Sequence, residues 1–200
     1  MATGRTVAQE EKRQLLLGAA VRVFAEKGYH AARVGDIAEE AGVAYGLLYH
    51  YFRSKDEVLE TIFRTTWSNM IATVESIAET GDPAREQLRK VTEVILRTWR
   101  RDPDLVRVLV REVTRSPQLQ RQVDEISAAL GSLQGIIERG QATGEFRADV
   151  DARLASVVWY GALEEVLTGW VLGRLPDDDG AIADAEQTVV AVVNDGLGAR

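Results

Sequence analysis

Within six positions the chain places Tyr45, Gly46, Leu47, Tyr49 and His50. Two phenol hydroxyls and an imidazole donate hydrogen bonds, and a glycine leaves the backbone bare for close approach. That inventory suits phosphate oxygens and base edges in a DNA groove. The plainer reading is a helical hairpin that happens to expose its tyrosines.

Such side chains need a rigid support, and the surrounding stretch VGDIAEEAGVAYGLLYHYFRSK (34–55) describes one. It reads as two short helices joined by a tight turn. Gly42 supplies the positive backbone angle of the turn, and the small Ala38 lets the helices cross closely. Ile37, Val43, Leu48 and Phe52 form the inward face. Directly after, Ser54-Lys55-Asp56-Glu57 reads as a capping box, which brings backbone amides and Lys55 toward a phosphate.

The block GDIAEEAGVAYGLLYHYFRSKDEVL, preceded by a helix ending in VFAEKGYHAA, resembles the DNA-binding domain of the TetR family of bacterial transcriptional regulators. The resemblance implies an all-α homodimer that binds a double-stranded DNA operator. It implies a three-helix helix-turn-helix domain over residues 1–53 and a C-terminal helical ligand-binding and dimerisation domain over 54–200. Carried over position by position, Tyr45, Gly46, Leu47, Tyr49, His50 and Lys55 fall on the family's DNA-contacting positions. Two departures stand out. Ala32-Arg33 replaces the Thr or Ser that often opens the first helix of the motif, so Arg33 either takes over that phosphate contact or is solvated. Leu47 stands where Thr is common, which makes base readout more apolar.

Composition limits the alternatives. Two hundred residues with 46% hydrophobic content accommodate one small reading head and one substantial helical core. There is no cysteine, hence no disulfide or thiolate metal site. The richest apolar stretch, 157–172, is broken by Glu164-Glu165, and the N-terminus lacks an apolar signal segment, so a soluble, cytoplasmic protein with no membrane partner is expected. The net charge of -7 divides unevenly: residues 1–64 hold nine Lys/Arg and nine Asp/Glu, so the acidity lies in the body. DNA affinity must then come from a local face with Arg33, Arg53, Lys55 and helix amides.

Asp82-Pro83, Asp102-Pro103 and Ser116-Pro117 each pair an N-cap with a proline expected at the first helical position. Apolar spacing predicts helices over 9–27, 34–41, 45–51, 54–80, 83–101, 103–115, 117–143, 151–174 and 180–198. On the last two, Leu154, Val158, Gly161 and Glu165, with Ile182, Ala185, Val189, Val192 and Gly196, form narrow seams. These suit a four-helix interface between two copies, or packing within one copy.

Phe63, Trp67, Met70, Trp99, Leu109, Val113, Ile136, Trp159 and Trp170 supply large apolar groups, either as core or as the lining of a cavity for a hydrophobic effector. Arg107, Arg111 and Arg115 recur every four residues, either as a solvated stripe or as a cationic mouth for a phosphorylated head group. The stretch GEFRADVDARLASVVWYGALEEVLTGWVL, with LVREVTRSPQLQRQVDEI before it, is similar to the fatty-acid-responsive branch of the family. That resemblance implies a long-chain acyl-CoA effector that releases DNA.

Other chemistries fail. The acidic run Asp177-Asp178-Asp179 lacks the alternating ligands of a calcium loop, and two histidines twenty residues apart make no metal cluster. Neither a metal nor any other cofactor is expected. No nucleophile elbow or phosphate-cradling glycine loop occurs. An enzyme is therefore the weakest class. The expectation is a repressor released from a palindromic operator by a hydrophobic small molecule, the alternatives being another effector or none.

Overall fold

The computed structural model describes residues 2–113 and 123–198. They form α1 (Ala2–Lys27), α2 (Val34–Glu40), α3 (Tyr45–Tyr51), α4 (Lys55–Ala78), α5 (Ala84–Arg101), α6 (Pro103–Val113), α7 (Val123–Thr143), α8 (Ala152–Val171) and α9 (Asp179–Leu197). Among the described residues there is no strand, only an isolated bridge between Phe146 and Gly198. The fold is all-α, and each described helix overlaps one that apolar spacing predicts, although α1 begins at Ala2 rather than at residue 9.

Four of the nine described helix starts are capped by short polar side chains. Ser54 accepts from the Glu57 amide at 3.1 Å, Asp151 from Leu154 at 2.7 Å, and Asp178 from Gly180 and Ala181. Each satisfies amides that a helix leaves unpaired at its first turn. The expected box at Ser54 is half made, because the Glu57 carboxylate reaches one residue further back, to the Arg53 amide. Pro103 is the first residue of its helix with Asp102 capping it, as expected. Pro83 is not: it is itself the N-cap, and the α5 amides of Ala84 and Arg85 are taken by the Glu145 carboxylate. Asp82 binds Lys90 instead. Ser116-Pro117 lies outside the described residues.

In the head, α1 buries Leu16, Ala20, Val23 and Phe24, spaced three and four apart, against α2. Gly42 sits at φ 66 and lets the Val43 amide reach back to the Ala38 carbonyl at 2.9 Å. This core does not stop at residue 53. Val58, Leu59, Ile62 and Phe63 of α4 and Val108 of α6 belong to it, so head and body share packing. Burying each such Phe or Leu is worth roughly 1.5–3 kcal/mol.

In the body, α7 packs against both α4 and α8, and α9 rests on α5. The sequence GEF at 144–146 closes this layer. Gly144 turns the chain at φ 78, Glu145 caps α5, and buried Phe146 lies so close to α7 that a Cβ on Gly140 would overlap its ring. No helix among the described residues is long and apolar enough to cross a membrane.

Candidate nucleic-acid interface and apolar cavity

The head presents α3 outward. Leu48 is completely buried, while Tyr45, Gly46, Tyr49 and His50 are exposed and Leu47 is half-buried. The Tyr45 and Tyr49 rings meet edge to face at 5.6 Å, with hydroxyls 3.4 Å apart. That contact holds the Tyr49 phenol above its ordinary pKa. Nothing lies within 4 Å of a Cβ built on Gly46. Internal packing therefore does not demand a glycine there, although a helical glycine costs about 1 kcal/mol relative to alanine.

Arg33 is the N-cap of α2 and is exposed. Its amide donates to the Asp36 carboxylate at 2.7 Å, the reciprocal half of a capping box, but no side chain takes the place of the Thr or Ser that would accept from the first-turn amides. That bond, with Lys27 at 3.0 Å, holds Asp36 below the usual carboxylate range. Lys55 departs from the expected outward position. Its ammonium turns back and donates to the carbonyls of Tyr29 at 2.6 Å and Ala32 at 2.9 Å. Beside it, the Tyr29 hydroxyl donates to Asp56, and burial followed by that carboxylate raises the Tyr29 pKa.

Five helices of the body line a partly open cavity of about 120 Å³. Thr66, Trp67, Met70 and Val74 line it from α4, Ile95 and Thr98 from α5, and Val106, Leu109 and Val110 from α6. Ala129 and Leu133 of α7 and Tyr160, Leu163, Glu164 and Leu167 of α8 complete the wall. The Trp67 and Tyr160 rings lie 6.1 Å apart. Burial, then the Glu164 carboxylate, raises the pKa of Tyr160, which lines this apolar space.

Of the residues expected to line such a cavity, the structure brings Trp67, Met70 and Leu109 to the wall. Phe63 is instead in the core shared with the head, and Ile136 and Trp159 are body core. Trp99 stacks on Trp170, whose ring nitrogen donates to the Pro176 carbonyl. Periodicity marks all of these as inward, but it does not tell a filled interior from an empty one. Tyr160, Leu163, Glu164 and Leu167 were missed, although their three- and four-residue spacing on α8 was the available signal.

The arginine stripe makes no mouth in its described part. Arg107 pairs with Asp104 and lies over the Trp99 ring, and Arg111 donates to the Ala25 carbonyl at 3.3 Å. Arg115 and the side chain of Val113 lie outside the described residues.

On the outer surface of α8 and α9, Leu154 is 63% exposed, Val158 62% and Val192 69%. Gly161, Glu165 and Gly196 are exposed beside them, with Val157. Ile182 and Val189 face the other way and are buried in the body core, with Ala185 half-buried against it. The α9 seam expected to meet a second copy is thus divided, because α9 must also cover α5.

Residues 16–62 match the family described as bacterial regulatory proteins, tetR family, and residues 63–190 match the YsiA-like protein, C-terminal region. The fatty acid metabolism regulator protein of Bacillus subtilis (strain 168) is 33% identical over 159 residues, covering 78% of this chain and 82% of that protein. The HTH-type transcriptional repressor KstR2 of Rhodococcus jostii (strain RHA1) is 28% identical over 197 residues, 96% of this chain and 94% of that one. The crystal structure of the transcriptional regulator FadR from Bacillus subtilis in complex with stearoyl-CoA superposes with a TM-score of 0.80 at 28% identity, covering 92% of this chain and 98% of that chain. A helical head whose α3 presents an aromatic face outward, and a helical body matched along most of its length, make this chain a member of the TetR family, a helix-turn-helix transcriptional regulator.

Proposed function

We propose that this regulator is a repressor that binds a palindromic operator as a homodimer and leaves it when a long-chain acyl-CoA occupies the body. The observation that carries the reading is the apolar cavity, open in part to solvent, whose wall includes α4 and α6, the two body helices that also pack into the head. A ligand filling that space is in contact with the elements that set the position of each head. Its effect requires tighter binding to the released arrangement than to the DNA-bound one, since equal affinity shifts nothing. The likeness to a regulator crystallised with stearoyl-CoA supports an acyl chain as occupant.

In this reading Arg33, Tyr45, Gly46, Leu47, Tyr49 and His50 of each head face the DNA. Leu154, Val158, Gly161, Glu165, Val192 and Gly196 face the second copy, since three large apolar side chains left in water call for a cover. One observation favours a second reading. Glu164 is the only carboxylate among the described lining residues, and none of them is a cation, which suits an uncharged lipophile.

The test begins with genomic fragments enriched on the purified protein. Anisotropy of a labelled enriched duplex is then followed while palmitoyl-CoA, free CoA and a long-chain alcohol are added in turn. Release by palmitoyl-CoA alone is the expected outcome. Release by the alcohol as well selects the uncharged-lipophile reading, and stable binding throughout discards both.

A further inference from the structure

The ammonium of Lys55 has three N–H donors, and all are directed at carbonyl oxygens of the turn that leaves α1: Tyr29 at 2.6 Å, Ala32 at 2.9 Å and His30 at 3.4 Å. The Tyr29 ring lies 4.4 Å away and adds a cation–π contact. A cation at this end of α1 also opposes the partial negative charge of its unpaired carbonyls. A phosphate reaching Lys55 would have to strip donors from carbonyls that accept no other hydrogen bond among the described residues.

Two guanidiniums flank the same helix end. Arg33 follows Ala32, whose carbonyl Lys55 holds, and Arg53 precedes Ser54, the cap of α4. Both are exposed, and neither guanidinium makes a hydrogen bond or ion pair among the described residues. Asp36, whose charge Arg33 feels, is already bound by Lys27. Arg22 and Arg64, by contrast, are spent on Glu40 and Glu60.

We infer that Lys55 is a positioning residue that pins α4 to the end of α1, and that Arg33 and Arg53 grip the DNA phosphates on either side of that pin. Arginine suits the task, because its planar fork binds phosphate in two places where lysine offers a point charge. The inference rests on the reading of the head as DNA-binding. It moves the cationic contact from the first residue of α4 to the loops beside it.

The salt dependence of binding separates the roles, since each phosphate contact adds roughly 0.9 to the slope of log K against log salt on duplex DNA. The probe is the enriched duplex described above. Arg33→Ala and Arg53→Ala are expected to reduce the slope by about one each while melting like the wild type. Lys55→Met keeps the apolar stem and loses all three bonds, so it is expected to melt earlier with an unchanged slope. Lys55→Arg keeps the charge but cannot aim three donors at three carbonyls, and is expected to behave as Lys55→Met does. A Lys55→Met protein that melts normally and loses about one from the slope would overturn the inference, as would arginine variants with wild-type slopes. Should Lys55→Met fail to fold, the other three variants still decide. A wild-type protein that binds no duplex sinks the DNA reading itself, before any variant is made.

Discussion

In the head, the side chains assigned to DNA come from one seven-residue helix, the loop before α2 and the loop after α3. In the body, the cavity wall draws fifteen side chains from five helices, from Thr66 to Leu167. The head exposes its polar groups and buries Leu48 and Phe52 behind them, whereas the body turns its chemistry inward and exposes Leu154, Val158 and Val192. A surface that meets a groove can be encoded locally. A cavity is what remains where several helices fail to fill the space between them, and no single stretch of chain records it. The two regions nonetheless share packing through Phe63 and Val108, so they are not independent bodies.

The largest expected effect tests that shared packing. Phe63 is completely buried in the head core and meets Trp67 on the cavity wall, with ring centroids 5.9 Å apart. Phe63→Ala is expected to cost about 3–5 kcal/mol. Because both regions lean on this ring, thermal unfolding of the variant should remain one transition at a lower temperature. Two separated transitions would break the picture of one continuous structure.

The next effect is confined to the body. Gly140→Ala places a methyl into the Phe146 ring and 2.9 Å from the Ala84 side chain. Neither neighbour has a free end to swing aside, so overpacking should cost about 1–3 kcal/mol. DNA affinity of the folded variant should stay at the wild-type value, and a parallel loss of operator binding would show that the GEF segment reaches the head.

The head was legible for a physical reason. Its turn requires Gly42, its crossing requires Ala38, and its outward face carries aromatic groups that a purely internal account leaves idle. Helix positions in the body were equally readable, down to Asp102-Pro103 opening α6. The destinations of its large side chains were not. Trp67 and Trp159 look alike as inward-facing aromatics, yet the first lines the cavity and the second fills the core. Lys55 was the hardest to read, since a lysine at a helix start looks free until the turn of another helix is seen beneath it. Ile182 and Val189 misled in the same way, because α9 has two faces to cover and a seam of spacing does not say which partner it meets.

A smaller effect sharpens the claim that α3 presents donors. The Tyr49 hydroxyl is exposed and meets only the Tyr45 hydroxyl among the described residues, so Tyr49→Phe should leave the melting curve unchanged. If the hydroxyl meets a phosphate, its loss should weaken operator binding by about 1.5 kcal/mol, roughly tenfold in Kd. Equal affinity for variant and wild type would remove Tyr49 from the interface and leave its ring as a support for Tyr45.

The smallest effect concerns the Asp36 carboxylate in the first turn of α2. Asp36 accepts from the Arg33 amide and pairs with Lys27, and both hold its carboxyl below the ordinary range. A depressed folded pKa means that the stabilisation is fully present above the unfolded value, about 3.9 for aspartate, and is lost as pH falls through the folded value. Asp36→Asn keeps an oxygen for the Arg33 amide but gives up the charge that Lys27 binds. The variant should therefore melt slightly below wild type at neutral pH, and the gap should close as pH falls below about 3.9. The site is exposed, so salt at neutral pH should narrow the same gap. A gap that widened on acidification would mean that the carboxyl is raised rather than lowered, so that neither the Arg33 amide nor Lys27 governs it.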